Sequence, residues 1–218
     1  MNGPIDNLSA GPILGIDESG KGDFFGPLII AGVLADAAGA ERLRGMGVRD
    51  SKKISDRKII ELSDWIAGNF VHTVVIVGPE KYNQLYSKIR NLNRLLAWGH
   101  SRVIENIAAE HDIELAISDK FGKSESIEKA LMAKGRQIRL EQMVRGEAIV
   151  QVAAASILAR AGFVRSMERL SGEYVMRLPK GAGAPVDEAA RQLVARHGPA
   201  VLEKSAKIHF KNYRKVLG

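Results

Sequence analysis

The 218-residue chain carries 32 Lys and Arg against 25 Asp and Glu, a net charge of +7, and 45% of its residues are hydrophobic. That is enough apolar material for the core of one ordinary globular domain, and the whole span 1–218 reads as such a domain. With no cysteine in the chain, disulfide frameworks, thiolate metal sites and cysteine nucleophiles are excluded together.

The longest apolar runs, such as Pro27 to Ala35 and Val74 to Val77, are too short to span a bilayer, so no membrane is expected as partner. No charged stretch followed by an apolar leader opens the chain, and a cytoplasmic location is expected. The positive charge is uneven. From Lys134 onward there are sixteen basic against seven acidic residues, and before it sixteen against eighteen. A basic lobe of this kind suits a polyanion such as nucleic acid, or serves as a solubilising surface.

Met1 to Gly11 is polar and bears Gly and Pro, as a flexible arm would. Ile13 to Asp17 reads as a short strand and Leu28 to Leu34 as a second. Ser55 can cap a helix running to about Ala67, with Ile59, Leu62 and Ile66 on one face. Phe70 to Val77 is a third strand, ended by Gly78-Pro79. Leu92, Leu95, Leu96, Gly99, Val103 and Ile107 then recur at helical steps, giving an amphipathic helix to about Glu110. Glu114 to Ser118 is a strand that delivers Asp119 at its end. Ser126 to Lys134 is helical and Gly135 stops it. Gln137 to Met143 alternates as a last strand, and Glu147 to about Leu170 is a long Ala-rich helix suited to close packing on a sheet. Shorter helices follow at Asp187 to Arg196 and Pro199 to Ser205. The pattern is that of an α/β protein whose mixed sheet is covered on both faces.

Chemistry concentrates in Gly15 to Leu28, GIDESGKGDFFGPL. Asp17 and Glu18 end an apolar strand, and Gly20-Lys21-Gly22 follows as a loop whose backbone N–H groups can line an anion site beside an ammonium. Carboxylates beside a phosphate cradle are electrostatically awkward without a cation between them, and Mg²⁺ takes such mixed ligands. The spacing Gly15-x₄-Gly20-Lys21 approaches a nucleotide P-loop. Gly22, however, stands where Ser or Thr would bind the metal, and two acids fall inside the loop. Asp119 at a strand end, Glu147 after Gly146, and Asp50-Ser51-Lys52-Lys53 after a Gly-rich turn are further candidates. Each of these, taken alone, also has a structural explanation in a turn, a helix-dipole acid or a solvated loop. The five histidines, His72, His100, His111, His197 and His209, lie apart without ligand spacing.

Taken together, DESGKGDFFGP, DSKK, the strand-end Asp and EAIVQVAAASILAR resemble the type 2 ribonucleases H, over about Ile13 to Tyr213. Gly20-Lys21-Gly22 and Leu178-Pro179-Lys180-Gly181-Ala182-Gly183 resemble the ribonuclease HIII branch. The resemblance implies a five-stranded mixed sheet flanked by helices, with a helical carboxyl-terminal region. It places the family's acidic quartet on Asp17, Glu18, Asp119 and Glu147, as catalytic groups and ligands of two divalent cations, Mg²⁺ or Mn²⁺. It implies hydrolysis of the RNA strand of RNA/DNA hybrids to 5′-phosphate and 3′-hydroxyl ends. Gly20, Lys21, Gly22, Ser51, Lys52, Lys53 and Lys180 would contact the substrate. Neighbouring strand residues face opposite ways, so Asp17 and Glu18 can share a site only if the strand ends or bends before Gly20.

Two departures shape the expectation. The motif begins at Asp17, without the amino-terminal hybrid-binding domain usual in that branch. Ala182 also stands where the ribonuclease HII branch has a stacking tyrosine, so incision at a single embedded ribonucleotide should be weak. A monomer is expected. The alternatives are a non-catalytic hybrid-binding module and, further behind, a P-loop nucleotide hydrolase.

Overall fold

A computed structural model describes residues 11–49, 54–120, 138–144 and 146–218, with Glu147 described by its backbone alone. The arm up to Ala10, Ser51, Lys52 and Lys53, the helix expected at Ser126 to Lys134 and its Gly135 stop, and Gln137 lie outside the described residues. The chain divides into two compact units: Met1–Glu18, Ile30–Val75 and Asn93–Ala161 form one, and Ser19–Ile29, Ile76–Leu92 and Gly162–Gly218 the other.

The first unit is built on the five-stranded mixed sheet: β1 (Ile13–Ser19), β2 (Leu28–Ala35), β3 (Val71–Val77), β4 (Leu115–Asp119) and β5 (Arg139–Met143). The order is β3-β2-β1-β4-β5, with β1 parallel to β4 and β4 parallel to β5. β2 is buried along its whole length, as its unbroken apolar run requires, whereas β3 lies at the edge and leaves Ile76 exposed.

Two glycines show how closely helices cover the sheet. A Cβ at Gly15 of β1 would stand 2.1 Å from the Gln151 carbonyl carbon and 2.3 Å from the Val152 nitrogen of α5 (Val150–Glu173). Only a residue without a side chain admits that approach, and the buried alanines 153–155 keep the helix side equally thin. On the opposite face a Cβ at Gly32 would meet Val103 at 2.4 Å, on α4 (Leu92–Ala108). Strand alternation therefore aims Leu14, Ile16 and Glu18 at α4, and Gly15 and Asp17 at α5. Leu115, Ile117, Ile149 and Val152 form an apolar cluster joined by Ile13 and Met143.

Three helices were not expected. α1 (Ala37–Gly45) shows no apolar stripe in its sequence; its Asp36 cap, accepting from the Gly39 N–H at 2.7 Å, and buried Ala40 and Leu43 hold it. α2 (Asp56–Asn69) has the Ser55 cap that the sequence suggests. α3 (Pro79–Ile89) begins where Gly78-Pro79 reads as a break: the pair ends β3 and also opens a helix, Pro79 fitting its first turn. The Ala-rich helix starts at Val150, not Glu147, because the Ile149 N–H bonds to the Gly146 carbonyl and closes a tighter 3₁₀ turn over Gly146–Ala148.

The second unit contains α3, α6 (Ala184–His197), α7 (Val201–Ser205) and the third unexpected helix, α8 (Lys211–Leu217). Tyr82, Tyr86 and His209 stack, with 4.1 Å between the last two ring centroids, and Phe210 meets His209 edge-on. The Asn83 side chain binds the carboxyl-terminal backbone, donating to the Glu203 and Ala206 carbonyls and accepting from the Ile208 N–H. Among the described residues no helix is long and apolar enough to cross a membrane.

Two outcomes are expected. Val175, after α5, is β-branched at φ +48 and 85% exposed, so its side chain contributes strain without packing. Val175→Gly should stabilise the protein by about 1 kcal/mol, read from a denaturant midpoint. Burial, with the Lys207 charge adding to it, lowers the His209 pKa from 6.5 to about 4. Between those values the unfolded chain holds a proton that the folded one lacks, so stability should rise with pH from about 4 to 6.5 and fall on acidification. In His209→Phe, which keeps the stack, the melting temperature should lose that part of its pH dependence.

Candidate active site

Asp17 and Asp119 come together by sheet register. The parallel pairing runs Ile13 to Leu115 through Ile16 to Ser118, and one further step sets Asp17 beside Asp119 at the carboxyl ends of adjacent strands. In a parallel pair such neighbours face the same side, here the α5 side. The Ser156 hydroxyl on α5 hydrogen-bonds the Asp17 carboxylate. It lies one helical turn beyond Val152, as Asp17 lies two strand residues beyond Gly15, so strand and helix advance together. The Glu18 N–H also donates to Asp17 Oδ1 at 2.8 Å. Burial, and then the neighbouring Glu18 charge, raise the Asp17 pKa from 3.8 to about 6, against those hydrogen bonds and the His100 charge.

Glu18 turns to the other face. Its carboxylate meets His100 Nε2 of α4 at 3.0 Å, with the side chains 3% and 0% exposed. β1 continues through both acids to Ser19 and is turned only at Gly20, where φ is +87. The two side chains thus leave opposite faces of the strand while Glu18 still acts on Asp17 through its charge. That continuous strand also disagrees with the P-loop spacing, since Gly15 to Ser19 is extended strand and not a phosphate-wrapping loop.

Asp119 ends β4 and its Oδ1 accepts from the Gly146 N–H at 3.1 Å. A Cβ at Gly146 would stand 3.0 Å from the Asp119 backbone, so glycine permits this contact. The backbone of Glu147 follows immediately; its side chain is not described. Among the described residues no group of three or more His, Asp or Glu stands ready to hold a metal ion.

Gly20, Lys21, Gly22 and Lys180 belong to the second unit, and Ser51, Lys52 and Lys53 lie outside the described residues. A Cβ at Gly20 would strike the Pro27 carbonyl at 2.2 Å, whereas one at Gly22 would meet nothing within 4 Å. Lys21, Gly22 and Lys180 are exposed. The loop and the Lys180 segment are joined: Asp23 Oδ1 accepts from the Gly181 N–H at 2.6 Å, and the Phe24 N–H donates to the Gly181 carbonyl at 2.9 Å.

The family model described as Ribonuclease HII matches residues 14–213. The chain belongs to the ribonuclease HII family. Membership makes it a hydrolase, an endonuclease of RNA/DNA hybrids. The chain is 48% identical to a protein of Chlamydia pneumoniae named Ribonuclease HIII, over 94% of this chain and 70% of that one. A protein of the same name from Protochlamydia amoebophila is 40% identical over 99% of this chain and 71% of its own length. Among solved structures, the crystal structure of Bst-RNase HIII in complex with Mn²⁺ superposes with a TM-score of 0.89 at 34% identity, over 97% of this chain and 70% of that one.

Sequence reasoning missed Ser156 and His100 within this ribonuclease HII fold. His100 did leave a signal. It falls four residues after Leu96 and three before Val103, a polar group within an otherwise apolar helical stripe. Removing it would leave a buried carboxylate without this donor. A double-mutant cycle of Glu18→Ala and His100→Ala should give a coupling of about 1–3 kcal/mol in unfolding free energy.

Proposed function

We propose that this chain, as a monomer and a single catalytic domain, hydrolyses the RNA strand of RNA/DNA hybrids with two divalent cations, Mg²⁺ or Mn²⁺, leaving 5′-phosphate and 3′-hydroxyl ends. The observation that carries it is the register that sets Asp17 beside Asp119 at the ends of parallel strands, on one face. Crevices at such strand ends are where open α/β sheets present functional groups. The donors fit the metals: Asp17, Glu18, Asp119 and Glu147 offer only hard carboxylate oxygens, and a buried Asp17 whose pKa is pushed up to about 6 beside Glu18 is a charge arrangement that a cation relieves.

When bound, the two cations would acidify the attacking water and stabilise the leaving 3′ oxygen of an in-line displacement. The protein's part is to hold the carboxylates. Ser156 orients Asp17 and the Gly146 N–H fixes one oxygen of Asp119, while Glu18 would leave His100 and turn toward Asp17 to join them. Glu147 completes the set from the turn that follows. No separate side-chain base is needed.

Gly20, Lys21 and Gly22 would contact 2′-hydroxyls, the groups by which RNA differs from DNA, and Gly22 leaves room for close backbone approach. Ser51, Lys52, Lys53 and Lys180 would hold phosphates. Ala182 presents a methyl group and cannot stack at an RNA–DNA junction. Runs of ribonucleotides are therefore the preferred substrate.

Cleavage of a labelled RNA/DNA hybrid, beside a duplex holding one ribonucleotide, tests this reading. Wild type should cut the hybrid with Mg²⁺ or Mn²⁺ and incise the single ribonucleotide weakly. Asp119→Asn should bind the hybrid and lose about three orders of magnitude in rate, near 4 kcal/mol at about 1.4 kcal/mol per decade. Hybrid bound but uncut by wild type would leave a binding module; equal rates on the two substrates would refute the role given to Ala182.

A further inference from the structure

The described fold buries one lysine completely. Lys207 is 0% exposed, and its Nζ donates to the Asp23 carbonyl at 2.8 Å and the Gly26 carbonyl at 2.7 Å, with the Tyr82 ring centroid 5.6 Å away. Taking an ammonium out of water is costly, and two carbonyls and a ring face are what compensate it here. Burial lowers the Lys207 pKa from 10.5 to about 7, partly countered by the Asp23 charge. No step of the hydrolysis uses this group.

Its location gives it a role. Asp23 follows Gly20-Lys21-Gly22 directly. The main chain on either side of Lys207 is paired with the same segment: the Lys207 N–H donates to the Phe24 carbonyl at 2.8 Å, the Gly26 N–H to the Ser205 carbonyl at 2.9 Å, and Phe25 bridges Ala206. Asp23 is thus held twice. Lys207 takes its carbonyl, and its carboxylate takes the Gly181 N–H next to Lys180. One buried ammonium fixes the residue that joins two exposed loops far apart in sequence.

We propose that Lys207 is a positioning residue for nucleic-acid recognition, clamping Asp23 and Gly26 so that Gly20-Lys21-Gly22 and Lys180 meet the hybrid as one preorganised surface. This rests on the reading that those loops bind the hybrid. Preorganisation spares the cost of ordering each loop on binding, so the clamp acts on substrate affinity and not on bond cleavage. Methionine has nearly the volume and length of lysine and no donor; it would fill the site and release both carbonyls.

The test uses the full chain. In an Asp119→Asn background, affinity is measured for an RNA/DNA hybrid and for a DNA duplex of the same sequence; KM and kcat are measured with Asp119 intact. Lys207→Met should weaken hybrid binding by about tenfold or more, narrow the preference over the duplex, and raise KM while kcat stays within about threefold. A purely structural lysine would lower the melting temperature without this division between KM and kcat. Folded Lys207→Met with wild-type hybrid affinity would overturn the proposal. Should Lys207→Met not fold, Asp23→Ala, which cuts the link to Gly181, decides: weakened hybrid binding supports the clamp and unchanged binding overturns it. Lys21→Ala with Lys180→Ala serves as control. If that pair leaves hybrid affinity unchanged, the recognition surface itself is wrong and both readings fall; if it weakens binding and Lys207→Met does not, only the clamp fails.

Discussion

The backbone of α5 lies against β1 with no room for a side chain at Gly15, and the candidate site follows from that contact. A strand and a helix touching through bare main chain cannot slide past one another without collision. The contact fixes which residues of α5 stand over which residues of β1, and so brings Ser156 to Asp17. Register with β4 then adds Asp119, and the glycine that lets the next turn approach Asp119 brings the backbone of Glu147 after it. These close approaches bring Asp17 and Asp119, 102 residues apart in sequence, to the ends of adjacent strands.

The buried charges of the chain are compensated in different ways. Asp17 is pushed toward its neutral form by burial and then by the Glu18 charge, an arrangement that invites a cation. Glu18 is matched by the His100 ring on the opposite face. Among the described residues Lys207 has no carboxylate hydrogen-bonded to its ammonium and relies on two carbonyls. The first suits a site that binds something; the last suits a group that must stay in one place.

The strands were the most legible part of the fold, because β2 and β4 are apolar runs bounded by turn residues and β3 is rich in β-branched residues. α4 was legible from its stripe. α1 was not, since its stability comes from the Asp36 cap and from two buried residues in a segment with two glycines. Gly78-Pro79 marks only a break in the sequence, because the same dipeptide that ends a strand also suits the first turn of a helix. The start of α5 shifted by three residues because a 3₁₀ turn and an α-helical turn have the same sequence preferences at this resolution of reading.

The sequence by itself determined the family and the chemistry of the donors. Those are properties of residue type, order and local period. Tertiary structure alone decided that Glu18 would meet a histidine 82 residues away, that Asp23 would tie one loop to Gly181, and that Lys207 would be buried against the Asp23 and Gly26 carbonyls. Such partners are chosen by which elements pack together. The hydrophobic term that drives packing is non-directional, so the polar contacts it creates leave no period in the chain from which they can be read.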